Sequence, residues 1–291
     1  MKDAIQVCEL KKSYGSHMVL KGLDFQIEKG EIFALLGVNG AGKTTTLECI
    51  EGLRKYDSGA ITVNGKMGIQ LQSSSLPAHI KPMEAVKLFA KWNKTKIDDT
   101  MLNGLGIKEM EKKQYIHLST GQKRRLHLAL ALIGNPDVIF LDEPTAGLDV
   151  EGRLSLHEQI RNLKHIGKTI VLASHDMAEV ETLCDRIAIL NNGNIVFCGT
   201  ASELTDRVGR KYFIHIKTQQ GDNTFETDNI EDTLISLLGE LKQKKIHVLD
   251  IKVDRGTLEQ HFIEMARPAN KSQVEISGFG SSEKGNTKSS R

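Results

Sequence analysis

Gly37-Val38-Asn39-Gly40-Ala41-Gly42-Lys43-Thr44 fits the pattern G-x-x-x-x-G-K-[S/T]. A triphosphate is multiply anionic, so a site for it needs many N–H donors close together. Glycines let a backbone curl round phosphates with no Cβ in the way, which makes Gly37, Asn39, Gly40, Ala41 and Gly42 the candidate cradle. A helix starting at Lys43 and continuing through Thr44 and Thr45 points its free N–H groups and positive dipole end at the same place. Lys43 then reaches the β- and γ-phosphates, and the Thr44 hydroxyl is a candidate Mg²⁺ ligand. A second group, Asp142-Glu143, ends the apolar run Val138-Ile139-Phe140-Leu141. Alone, an acidic pair after a strand reads as a helix cap or a solvated turn. Beside a phosphate loop, Asp142 reads as a holder of Mg²⁺, directly or through water, and Glu143 as the carboxylate that polarises an attacking water.

These groups need strands and helices to hold them. Ile32-Phe33-Ala34-Leu35-Leu36 leads into the glycine cluster, and the runs at 138–141 and 170–173 share its unbroken apolar character. A run without polar alternation suits a strand covered on both faces, as in a parallel sheet. Helical patterns start at Lys43 and cover about 151–166 and 177–184; buried strands alternating with helices predict an α/β fold. Residues 4–10, around Ile5, Val7 and Leu10, alternate as a strand does. Asn191-Asn192-Gly193-Asn194 predicts a hairpin between Ile187–Leu190 and Ile195–Phe197. Segments 84–92 and 119–133 mark residues 73–135 as a helical insertion. Thr200-Ala201-Ser202-Glu203 is a capping box. From about 210 to 266 the pattern is that of a small αβ domain: a strand at Tyr212–Lys217, a stripe of Leu234, Leu237, Leu238 and Leu241, and strand-like Ile246, Val248 and Ile251. A second capping box, Thr257 to Gln260, with Leu258, Phe262 and Met265 at helical spacing closes it. Residues 267–291, rich in Ser, Gly, Lys and Asn, read as a disordered tail.

Further motifs stand in a telling order. Leu118-Ser119-Thr120-Gly121-Gln122 precedes Asp142 by about twenty residues, Pro144-Thr145-Ala146-Gly147-Leu148-Asp149 follows Glu143, and His175 follows the strand Ile170–Ala173. By residue type alone, Ser119 is a helix N-cap and Tyr14 a packed aromatic. Together with the phosphate loop the set resembles the ATP-binding subunit of an ABC transporter, over residues 4 to about 200. The resemblance implies a P-loop NTPase core with a largely parallel sheet, antiparallel β elements and a helical subdomain, with residues 1–205 as the ATPase cassette. It implies that Tyr14 stacks on adenine, that Gln72 is the Q-loop glutamine contacting Mg²⁺ and water, and that Glu143 is the base. His175 would be the switch histidine bonded to the terminal phosphate. It further implies that Ser119, Gly121, Gln122 and Asp149 close over the ATP of a second subunit in a head-to-tail dimer. Three departures stand out: Val38 for a frequent proline, Thr120 for the first glycine of the LSGGQ signature, and Gln70-Leu71 for the usual aromatic and proline before the Q-loop glutamine.

Composition narrows the work this chemistry drives. The 291 residues carry 39 Lys and Arg against 37 Asp and Glu, a formal net charge of +2, which argues against a nucleic-acid partner. Cys8, Cys49, Cys184 and Cys198 lie far apart, which excludes a disulfide scaffold or a paired-cysteine zinc site. No apolar run approaches the roughly 18 residues of a membrane span, and Met1-Lys2-Asp3-Ala4 opens no signal core. A transporter built on this chain needs a separate membrane-spanning permease, with the chain cytoplasmic and peripheral on the inner face of the membrane. Glu51-Gly52-Leu53 and the stretch Gly256 to Phe262 resemble export ATPases of the ABC-2 type, which include drug- and antibiotic-resistance systems. The competing expectation is a soluble ABC ATPase working on ribosomes or DNA.

Overall fold

The computed structural model describes residues 3–70, 76–208 and 212–255. The chain opens with β1 (Asp3–Tyr14), β2 (His17–Glu28) and β3 (Ile32–Leu36), then α1 (Lys43–Ile50), β4 (Ser58–Val63) and β5 (Met67–Gln70). A helical segment follows: α2 (Pro82–Trp92), α3 (Asp99–Gly104) and α4 (Thr120–Leu132). Strands and helices then alternate through β6 (Val138–Asp142), α5 (Val150–His165), β7 (Thr169–Ser174), α6 (Met177–Leu183), β8 (Arg186–Asn191), β9 (Asn194–Gly199) and α7 (Ala201–Val208). The last described elements are β10 (Tyr212–Thr218), β11 (Gly221–Thr227), α8 (Ile230–Gln243) and β12 (Val248–Arg255).

Six strands form the central sheet in the order β5-β6-β7-β3-β8-β9, parallel except where β9 runs back along β8. Its two faces are separate cores, as unbroken apolar strands require. Ile32, Ala34 and Leu36 of β3, with Ile139 and Leu141 of β6, point into a layer of helices that includes residues of α2 to α7. Phe33 and Leu35, with Val138 and Phe140, point the other way, against α1 and the antiparallel sheet β2-β1-β4. At the β8–β9 hairpin, Asn192 and Gly193 have φ of 48° and 76°, the double positive φ of a tight primed turn. A Cβ on Gly193 would stand 2.1 Å from the Val19 carbonyl oxygen. Only glycine therefore lets the turn approach β2, where its carbonyl accepts from Lys21 N at 2.9 Å.

The Thr200–Glu203 capping box forms in both directions, at 2.7 and 3.1 Å. The expected cassette limit at 205 falls inside α7, which runs on to Val208. In the last unit a three-stranded sheet, β11-β10-β12, packs Ile214 and Ile216 against Leu241 of α8. Leu234 and Leu237 share that contact, whereas Leu238 is exposed. The expected helix around Leu258, Phe262 and Met265 and the tail 267–291 lie outside the described residues, as does Gln72.

Candidate functional site

The phosphate loop bridges β3 and α1. Gly42 has φ of 110°, and a Cβ there would stand 2.8 Å from Leu20 Cδ2. That close approach lays β2 alongside the loop, with Tyr14 near the end of the same hairpin, paired with His17. Among the described residues no side chain caps α1, whose N-cap residue is Gly42, so its first-turn N–H groups, which an α-helix cannot satisfy internally, are left without a side-chain cap. Lys43 is buried, and its ammonium donates to the carbonyl oxygens of Gly37 at 2.7 Å and Val38 at 3.4 Å. Burial lowers its pKa, while Glu143 and Asp142 act in the opposite direction.

Asp142 ends β6 across from the loop. Its Oδ2 accepts from the exposed Thr44 hydroxyl at 3.3 Å; its Oδ1 is buried with no hydrogen-bond partner among the described residues. Burial raises the Asp142 pKa, opposed by the Thr44 hydrogen bond. An orphaned carboxylate oxygen next to a hydroxyl is a set of hard oxygen donors, and it fits a Mg²⁺ ion. Glu143 follows with φ of 46°, a left-handed backbone that is costly for a residue with a Cβ. Its N–H donates to Ala173 O of β7 at 3.0 Å, and its Oε1 lies 3.1 Å from His175 Nδ1. The ends of β3, β6 and β7, neighbours in one sheet, thus bring Lys43, Thr44, Asp142, Glu143 and His175 together.

Ser119, Gly121 and Gln122 sit elsewhere. Ser119 and Gln122 cap the start of α4 reciprocally, Gln122 N donating to Ser119 Oγ at 3.2 Å and Ser119 N to Gln122 Oε1 at 3.1 Å. With Gly147, Leu148 and Asp149 they line a cavity of about 510 Å³ that contains none of the phosphate-loop residues. The Asp149 carboxylate caps α5, accepting from Gly152 N at 2.8 Å.

The ABC transporter family profile matches residues 20–146. The linearmycin resistance ATP-binding protein LnrL of Bacillus subtilis is 34% identical over 270 residues, 86% of this chain and 84% of its own. Nod factor export ATP-binding protein I of Rhizobium etli is 36% identical over 223 residues, 70% of this chain and 71% of its own. The chain belongs to the ABC transporter ATP-binding proteins. A solved ATP-binding subunit of an ABC transporter overlays with a TM-score of 0.64 at 27% identity, covering 70% of this chain and 93% of that one. A second solved ATP-binding cassette, at 22% identity and TM-score 0.62, shares the fold. The chain is accordingly an ATP-binding cassette of an ATPase family whose members dimerise and work with transmembrane permeases. Among the described residues of this cassette no helix is long and apolar enough to cross a membrane.

Two residues of the ABC cassette have distinctive surroundings. The exposed ring of Tyr14 has the Arg54 guanidinium and the Lys12 ammonium each 5.4 Å from its centroid, so cations already attend its π-face. Gln70, the last described residue before the expected Gln72, is 2% exposed, and among the described residues neither atom of its amide has a hydrogen-bond partner. The sequence reading missed Ser174, Glu179 and His157, a buried polar group behind His175. Its one sequence signal is a hydroxyl residue directly before the histidine.

Proposed function

We propose that the chain is the motor subunit of an exporter: it binds and hydrolyses ATP and drives a separate membrane-spanning permease. The convergence of Lys43, Thr44, Asp142, Glu143 and His175 at the ends of three adjacent strands carries this reading. Export is supported by the relatives, one named for resistance to linearmycin and one for Nod factor export.

In this reading Gly37, Asn39, Gly40, Ala41, Gly42, Thr44 and Thr45 hold the phosphates through the loop and the first turn of α1. Lys43 supplies positive charge to the β- and γ-phosphates, and Tyr14 packs on the base. Thr44, Asp142 and Gln72 hold Mg²⁺, which when bound neutralises charge on the phosphates. Glu143 takes the proton of the attacking water. His175, bonded to Glu143, orients toward the terminal phosphate. Ser119, Gly121, Gln122 and Asp149 act on the ATP of a second ATPase subunit, identical or homologous. The cassette spans 1–205, 210–266 is an accessory domain, and 267–291 a tail; the chain sits on the inner membrane face through its permease and binds no nucleic acid.

Glu143→Gln keeps the shape of the side chain and removes the base. Hydrolysis should fall about 10²–10⁴-fold, and ATP should hold the variant as a dimer on size exclusion. Wild-type turnover by this variant would remove Glu143 from the role.

A further inference from the structure

α5 faces α6 and the residues flanking it through four rungs. Arg153 Nη1 meets Asp176 Oδ2 at 3.1 Å, His157 Nε2 meets Glu179 Oε1 at 3.3 Å, Arg161 Nη2 donates to Thr182 O at 3.2 Å, and Lys164 Nζ meets Asp185 Oδ1 at 2.5 Å. Positions 153, 157, 161 and 164 fall on one stripe of a helix. Rungs between exposed charges hold weakly, but the second is buried, with His157 6% and Glu179 3% exposed.

Glu179 uses both oxygens. Oε1 faces His157, and Oε2 accepts from the Ser174 hydroxyl at 2.7 Å. Ser174 Oγ in turn accepts from Asp176 N at 3.0 Å. Through the Ser174 hydroxyl the buried carboxylate is thus linked to the residues on both sides of His175, whose ring lies 3.1 Å from Glu143 Oε1. His157 grows from α5, the helix that Asp149 caps. One end of α5 therefore lies at the cavity shared with Ser119 and Gly121, and its middle lies under the His175 turn.

The geometry points to His157 and Glu179 as a positioning pair: through Ser174 they set His175 against Glu143 and tie that setting to the Asp149 end of α5. A displacement of residues 147–149 by a second subunit is then felt at His175. This rests on the roles proposed for His175 and Glu143.

The test is steady-state ATP hydrolysis by the purified full-length chain. His157→Leu removes the donor at similar volume and should lower kcat about ten- to hundredfold, with KM for ATP within about twofold. His157→Gln, which can still present an N–H near the Nε2 position, should recover most of that loss. Ser174→Ala, a small change that spares the fold, should lower kcat in the same way. The double variant His157→Leu/His175→Ala should turn over no more slowly than His175→Ala, because both changes act at one point. Wild-type kcat in both His157→Leu and Ser174→Ala overturns the proposal, and so does a double variant that loses the product of the two effects. With His175→Ala impaired, those results sink the pair and leave the role of His175 standing. An unimpaired His175→Ala would instead remove that role and the pairing together.

Discussion

At Glu143 the backbone adopts φ of 46° while its N–H is held by Ala173. A carboxylate kept in a costly conformation by its neighbours is pre-aimed, which is how a site stores orientation before substrate arrives. The acidic pair and the histidine were legible as types and spacings in the sequence; the turn that swings Glu143 toward His175 was not, because no residue preference marks a strained non-glycine position. Glu51, read only as part of a short family-like phrase, is another case. It is buried, and burial, then the nearby Asp142 and Glu48 charges, push its carboxyl from the usual 4.5 up to about 7. Between these values the folded chain holds a proton that the unfolded chain has lost. Stability from this group is therefore complete below pH 4.5 and is lost as pH rises toward about 7. Glu51→Gln should leave acid stability unchanged and raise stability at and above neutral pH, measured by urea unfolding in metal-free buffer. Equal stability of the two proteins at pH 8 would show that Glu51 ionises freely.

Strands and helices were legible where their pattern was strong. The apolar runs at 32–36, 138–141, 170–173 and 187–190 became the buried strands of the central sheet, because only a strand covered twice tolerates so little polarity. β11 escaped notice: its alternation uses Thr, Glu and Asp around a single Phe225, since one of its faces meets water. At the end of β5, Gln70 breaks the rule that buried amides are paired. Leaving such a group without partners costs about 1–3 kcal/mol. Gln70→Leu, of similar size, should therefore raise the melting midpoint in the absence of nucleotide, by about 2–4 °C for each kcal/mol recovered. A fall in the midpoint would mean that the amide is satisfied in solution, and a matching loss of ATP hydrolysis would assign Gln70 to the nucleotide site.

On the scale of the molecule, the phosphate-loop cluster lies at the ends of β3, β6 and β7, while Ser119, Gly121, Gln122 and Asp149 border a different cavity. The motif order in the chain disclosed both groups but not their separation, which is a property of where α4 and α5 begin. Within one copy the two groups line separate places. In the proposed head-to-tail dimer the chain supplies half of each of two composite sites, so damage to it should complement. Lys43→Ala spoils only the loop half; Ser119→Arg spoils only the signature half. Each pure variant should be inactive, yet an equal mixture that re-pairs at random should recover up to about a quarter of wild-type turnover, since mixed pairs contain one intact composite site. Recovery would mark two copies of this chain as sufficient partners; a mixture as silent as its components would hand the other half to a different subunit.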